Sequence, residues 1–260
     1  MALTPWRRRR ERAERAQLED LNRLMSYGGA VGFVESRPPD HDSVCPAWEH
    51  YGLYDPKMYG WSYVREMGIS TGGALWRTVG LLGRCGRSMR VAKWGDRYVV
   101  VYQLVNSAGE TVYYFGGDPM RPSWPLSGEE GYGRNVRAVW SRAVDVWPFY
   151  RNFQDGFVSC AQPSTGVYQV GDINEFSTGQ YADLGLDDEE LRERARGCYP
   201  FYRSPTGDIV TLDITGQCPG RADLWHPRAD PELDIDFWDT IDTLLTTTID
   251  PEYYEAGADQ

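Results

Sequence analysis

The stretch RYVVVYQLVNSAGETVYYFGG, residues 97–117, decides the fold class because it encodes a β-hairpin. Two segments rich in β-branched and aromatic residues, 97–105 and 111–115, flank the turn-forming sequence Asn-Ser-Ala-Gly. The unbroken valine run at residues 99–101 predicts a strand that is covered on both faces. The sequence therefore predicts an antiparallel strand pair that is buried on two sides.

A second strand pair, followed by a helix, is predicted near the end of the chain. In TGDIVTLDITG, residues 206–216, the residues Val210, Leu212 and Ile214 recur at every second position and so share one strand face. A returning strand is predicted over residues 222–226. A helix is predicted over residues 234–245, and its apolar residues recur at helical spacing. The predicted buried side of this helix consists of Ile235, Trp238, Ile241 and Leu245.

Three further helices are predicted from capping and charge patterns. Thr4 and Pro5 are typical of a helix start, and this helix should extend over residues 5–25. The apolar stretch 74–82 predicts a helix that ends near Gly83. The sequence DDEELRERAR, residues 187–196, places acids first and bases last, as the helix dipole favours, and predicts an exposed helix.

A linker is predicted between the two halves of the chain. Residues 116–134 contain three prolines and five glycines, so we place a domain boundary near residue 130. We expect an N-terminal helix and an α+β region of unassigned type over residues 1–130. A second domain is expected over residues 131–250, and an acidic tail over residues 251–260.

The composition restricts the classes of partner. The chain has 260 residues and a formal net charge of −11, and residues 181–260 hold 19 carboxylates against 6 arginines. A nucleic-acid-binding surface usually has the opposite sign, so we expect a basic protein partner and no nucleic acid. The five cysteines form no CxxC motif, which predicts reduced thiols and a cytoplasmic location. We see no signal peptide or apolar run long enough for a membrane span, and we expect no cofactor.

Possible catalytic residues are few. The sequence GISTG, residues 68–72, matches the G-x-S-x-G pattern of the α/β-hydrolase nucleophile elbow, with Ser70 as nucleophile. His226 is the histidine that follows it, so a serine hydrolase is one alternative function. His41 and His50 lie in acid-containing loops that could hold a metal, although loop histidines are more often not ligands. We expect neither catalysis nor a bound metal.

An acidic surface is the feature most suited to a function. Trp225 falls on the same strand face as Asp223, so we expect an exposed aromatic anchor beside the carboxylates. Complementary charge on such a surface accelerates encounter with a cationic protein. The predicted partner-binding residues are Asp223, Trp225, Asp230, Glu232, Asp234, Asp236 and Asp239.

The second half of the chain resembles the SUKH superfamily. Three stretches carry the resemblance: VWPFYRNFQDGFV at 146–158, VYQVGDINEF at 167–176, and GDIVTLDITG with ADLWHPRADPELDIDFWDTIDTLL at 207–245. The resemblance implies an α+β fold in which helices flank a mixed or antiparallel sheet, here joined to an N-terminal α+β region with a β-hairpin. Bacterial members are similar to immunity proteins, which bind and block a cognate toxin domain, often a nuclease. Other relatives are regulatory scaffold proteins, and that alternative stays open beside the hydrolase.

Overall fold

The computed structural model describes about half of the chain, in ten segments. They comprise residues 5–25, 29–34, 73–95, 97–117, 149–150, 155–162, 164–168, 189–214, 218–227 and 229–253. All structural statements below concern these residues. The fold is α+β, as the sequence predicts, with helices that flank an antiparallel sheet.

The sheet is an antiparallel meander in which each strand pairs with the next one along the chain. Its strands are β1 (Val31–Phe33), β2 (Gly86–Trp94), β3 (Arg97–Val105), β4 (Thr111–Gly117), β5 (Asp155–Ser159), β6 (Gly166–Val167), β7 (Cys198–Arg203), β8 (Ile209–Asp213) and β9 (Ala222–Trp225). The predicted hairpin is confirmed as β3 and β4, and Asn106 and Gly109 close its turn with a backbone hydrogen bond of 2.9 Å. The predicted C-terminal strand pair is confirmed as β8 and β9.

The described helices cover both faces of the sheet. They are α1 (Pro5–Leu24), α2 (Trp76–Cys85), α3 (Glu189–Ala195) and α4 (Phe237–Ile249), and a short 3₁₀ helix (Pro251–Tyr253) follows α4. Helices α2 and α4 pack on one face of the sheet, where they share a core with side chains from β2 to β9. Helix α1 covers the opposite face at the N-terminal end, and α3 covers it at the C-terminal end.

This double coverage explains why several strands have no exposed residue. In β3, Val100 belongs to the core beneath α2 and α4, whereas Val99 and Val101 face α1. All five residues of β8 are buried, and so are all four of β9. The valine run in the hairpin is therefore buried on both sides, as predicted.

Sheet and core both continue across the boundary predicted near residue 130. Strand β4, from the first predicted region, pairs with β5, from the second, and Phe115 lies opposite Val158. The rings of Tyr114 and Phe157 stack at a centroid distance of 4.6 Å. The two predicted regions thus share one sheet and one hydrophobic core.

Both outer strands of the sheet have neighbours that satisfy their backbone groups. At β1, the side-chain amide of Asn22 donates to the carbonyl of Val31 at 3.0 Å and accepts from its N–H at 2.7 Å. At β9, Leu224 and Glu232 exchange two backbone hydrogen bonds of 2.9 Å. Bonded in this way, neither strand offers these groups to another chain, which limits edge-to-edge aggregation.

Helix boundaries differ from the predictions where tertiary contacts extend or shorten a helix. Helix α2 continues through Gly83 to Cys85, because Leu82 and Cys85 enter the core. Helix α4 begins at Phe237 rather than at residue 234, because Asp236 caps it and Asp234 has a positive φ of 56°. Among the helices of the described segments, none combines the length and apolar character that crossing a bilayer requires.

Candidate partner-binding surface

Five of the predicted partner-binding carboxylates lie close together in sequence, between the end of β9 and the first turn of α4. All five are exposed: Asp230, Glu232, Asp234, Asp236 and Asp239. We call this group the acidic surface. Leu233, an exposed apolar side chain, lies within the same segment. The structure therefore places five carboxylates and one apolar side chain in solvent on a single connection.

The segment that carries the acidic surface is fixed to the sheet by its backbone. Glu232 pairs with Leu224 of β9, and the N–H of Ile235 donates to the carbonyl of Ala222 at 3.0 Å. The side chain of Asp236 then accepts a 3.0 Å hydrogen bond from the N–H of Asp239, which caps α4. Since these bonds order the backbone before any partner arrives, the carboxylates are presented at defined positions.

Asp223 is buried, so the expectation that its carboxylate faces a partner is wrong. Its side chain is 1% exposed, and it accepts two hydrogen bonds from the guanidinium of Arg194 on α3, at 2.6 and 3.0 Å. It also accepts from the backbone N–H of Asp234 at 2.9 Å. Asp223 therefore holds α3 and the acidic segment against β9.

Trp225 is also buried, so its predicted exposure is wrong. The residue is 0% exposed, and it packs with Ile209 and Ala195 beneath α3. Its indole N–H donates to the hydroxyl of Thr211 at 2.8 Å, which satisfies the polar atom inside the core. The strand-face argument assumed that this face of β9 met solvent, whereas α3 covers it.

An exposed tryptophan does lie beside the acidic surface, but it comes from α2. Trp76, the first residue of that helix, is 61% exposed. The guanidinium of Arg77 lies 4.8 Å from the centre of the Trp76 ring and donates to Asp239 at 2.6 Å. Arg77 thus connects the exposed indole to the acidic surface. The pattern that could have indicated the exposure of Trp76 is its position at the start of a helix, where a large aromatic side chain need not face the core.

The contact between α2 and α4 depends on Asp242, which is fully buried. Leu75 precedes α2 but has no capping side chain. The Asp242 carboxylate takes that role: it accepts from the N–H groups of Arg77 at 2.9 Å and Thr78 at 2.8 Å, and from the Thr78 hydroxyl at 2.7 Å. A carboxylate in this position interacts favourably with the positive end of the helix dipole. Asp242 thereby fixes Trp76 relative to α4.

Two members of the acidic surface are partly neutralised by arginines. Asp234, although 68% exposed, contacts Arg194 at 2.7 Å, and Asp239 contacts Arg77. Asp230 and Asp236 have no ion pair within the described part of the chain. The acidic surface therefore has its least compensated negative charge at Asp230 and Asp236.

The third paired member is Glu232, which contacts His226. The imidazole of His226 lies between two carboxylates: Nδ1 is 2.9 Å from Asp208, and Nε2 is 3.2 Å from Glu232. Asp208 also accepts hydrogen bonds from the hydroxyls of Ser204 and Thr206. Partial burial opposes ionisation of Asp208, but these donors and His226 together lower its pKa. Burial likewise opposes protonation of His226, and the two carboxylates outweigh it and raise its pKa.

The predicted catalytic and metal-ligating alternatives fall mainly outside the described residues. Ser70, His41 and His50 all do, so the hydrolase and metal alternatives stay untested predictions. Within the segments that the structure describes, no three His, Cys, Asp or Glu side chains form a group suited to a metal ion. Burial raises the pKa of Cys198 to about 11, which makes this thiol a weak nucleophile at neutral pH.

Comparisons with known proteins do not assign the chain to a family. No protein-family model matches the sequence. No curated protein and no solved structure matches it either. The likeness to the SUKH superfamily therefore depends on the sequence stretches given above.

Proposed function

We propose that this protein is a toxin-neutralising immunity protein of the SUKH type, which binds a cationic toxin domain through the acidic surface and Trp76. The observation that carries the proposal is the arrangement of five exposed carboxylates on a backbone-anchored segment, next to an exposed indole. Binding would block the toxin in a stoichiometric complex. The SUKH assignment comes from the sequence resemblance, and the binding surface comes from the described residues.

Each component has a separate physical role in the proposed complex. Asp230 and Asp236, which have no ion pair among the described residues, attract a basic protein and raise the association rate, an effect that salt weakens. Trp76 supplies apolar area, and burial of such an anchor commonly contributes about 2 kcal/mol or more to binding. Since the backbone hydrogen bonds already order the acidic segment, little conformational entropy is lost when the complex forms.

The test of the surface uses as binding partner a toxin domain identified by a search of the reading frames that neighbour this gene. Association and dissociation rates would be measured for the wild type, for Asp230→Lys with Asp236→Asn, which keeps an N-cap on α4, and for Trp76→Ala. We expect the double variant to slow association at least tenfold at low salt. We expect Trp76→Ala to accelerate dissociation about thirtyfold, which corresponds to about 2 kcal/mol.

The matched control changes two exposed acids elsewhere, Glu189 on α3 and Glu252 in the 3₁₀ helix. Glu189→Gln with Glu252→Lys changes the net charge by the same amount, and we expect it to alter association less than threefold. Equal effects from the two double variants would exclude a localised acidic surface. Tight binding without loss of toxin activity in a stoichiometric mixture would exclude the immunity function while retaining the interaction.

A further inference from the structure

The hydrogen bonding around His226 requires a particular protonation state. Both ring nitrogens contact oxygens of carboxylates, Asp208 at 2.9 Å and Glu232 at 3.2 Å. An ionised carboxylate can only accept hydrogen bonds, so each nitrogen must donate. A neutral imidazole has a single N–H, and only the imidazolium ion can make both contacts. The geometry therefore corresponds to protonated His226.

We propose that His226 is a pH-sensitive latch, which in its protonated form holds Glu232 against the turn that carries Asp208 and on deprotonation releases Glu232 to solvent. The two carboxylates that His226 joins belong to different elements. Asp208 lies in the connection between β7 and β8, and Glu232 lies in the acidic segment after β9. Among the described residues, the charged groups that act on the ring are Asp208 and Glu232.

The contact with Glu232 is the one that opens when the proton is lost. Asp208 is the less exposed carboxylate, and hydrogen bonds from Ser204 and Thr206 fix its orientation. Glu232 is 65% exposed and makes the longer contact with the ring. A neutral His226 therefore keeps its hydrogen on Nδ1, toward Asp208. Its Nε2 then presents a lone pair to Glu232, and the two acceptors repel.

The direction of the pH effect follows from linkage. The pair of carboxylates raises the pKa of His226 above its ordinary value of about 6.5. The stabilisation that the closed latch provides is therefore fully present below the pKa of the unfolded state, and it is lost as the pH rises through the folded-state pKa. The closed state corresponds to mildly acidic solution, and the open state to a more alkaline one.

The latch also regulates the acidic surface, a step that rests on the proposed function. Deprotonation removes one positive charge beside Glu232 and frees its carboxylate. The acidic surface thus becomes more negative as the pH rises. Association with a cationic partner should accelerate over the same pH range in which His226 titrates.

The experiment that tests the latch is an NMR titration of the full-length protein, with detection of the imidazole nitrogens and carbons. His226→Gln identifies the resonance among the three histidines, His41, His50 and His226. We expect His226 to titrate above pH 6.5 and both ring nitrogens to be protonated below that pKa. Glu232→Gln should lower the pKa of His226. The control Glu189→Gln changes an exposed side chain on α3 and should leave that pKa unchanged.

A His226 pKa at or below the ordinary value would overturn the proposal, as would a pKa that Glu232→Gln leaves unchanged. Glu232 is exposed, so its variant should fold, and circular dichroism verifies this.

The regulatory step is tested by the pH dependence of the rate at which the protein associates with the toxin domain. The rates are measured from pH 5.5 to 8.5, which extends from about one unit below to two units above the ordinary His pKa. The rate should rise in the wild type more than in His226→Gln. Equal profiles would overturn regulation, whereas absence of any binding would overturn the proposed function and leave the NMR result to decide the latch.

Discussion

Substitution of Asp242 should show how strongly α2 depends on α4. In Asp242→Ala, the N–H groups of Arg77 and Thr78 and the Thr78 hydroxyl all lose their acceptor. A hydrogen bond to a charged acceptor contributes about 1.5–3 kcal/mol, and each buried donor left without an acceptor costs about 1–3 kcal/mol. Part of the loss is recovered when the end of α2 relaxes toward solvent. We therefore expect the free energy of unfolding to fall by about 3–4 kcal/mol, near the lower end of the summed cost for three donors that lose their acceptor.

The assay is urea unfolding followed by tryptophan fluorescence. With an m-value of about 3 kcal/mol/M, the expected loss lowers the midpoint by about 1 M. Asp242→Asn keeps one acceptor oxygen but loses the charge, so it should lose about half as much stability. The control is Asp239→Ala, which removes an exposed partner of the same arginine and should cost less than about 1 kcal/mol. If Asp242→Ala proves no more destabilising than Asp239→Ala, the capping role of Asp242 is refuted.

Two further substitutions address other parts of the fold. Arg194→Met removes both guanidinium hydrogen bonds to the buried Asp223 and leaves only the more distant Arg221, at 3.8 Å, so we expect a loss of about 3 kcal/mol in urea unfolding. The double variant with Asp223→Leu should recover part of that loss, and an additive loss would contradict the pairing. Gly166 has a φ of 121°, and a Cβ there would lie 2.1 Å from the carbonyl oxygen of Phe157. Gly166→Ala should therefore lower the free energy of unfolding by more than about 2 kcal/mol, which thermal melting would measure. A melting curve identical to that of the wild type would contradict this packing of β6 on β5.

Local patterns in the sequence predicted all four described helices and the strands β3, β4, β8 and β9, but they did not predict β1, β2, β5 or β7. The hairpin formed by β3 and β4 was predictable because its turn and β-branched segments are adjacent in the chain. The alternation in β8 also placed Val210 and Leu212 on one face and Ile209 on the other, as observed. Strand connections this short favour antiparallel neighbours, which is why the antiparallel pairing of β3 with β4 and of β8 with β9 could be predicted.

Residues distant in sequence decide which side chains are exposed at the candidate surface. Trp225 is buried because α3 covers its face of β9, and no pattern within β9 contains that information. Asp223 is buried because Arg194, 29 residues away, neutralises it. Trp76 is brought to the acidic surface because Asp242, 164 residues from Thr78, caps α2.

The sequence by itself therefore determined the described helices, two strand pairs and the concentration of acid near the C-terminus, since these follow from neighbouring residues. Only the tertiary structure decided which carboxylates are internal partners and which remain available to another molecule. The physical reason is that a charged group can be buried only where a counter-charge or a set of donors meets it, and folding brings those partners from remote parts of the chain.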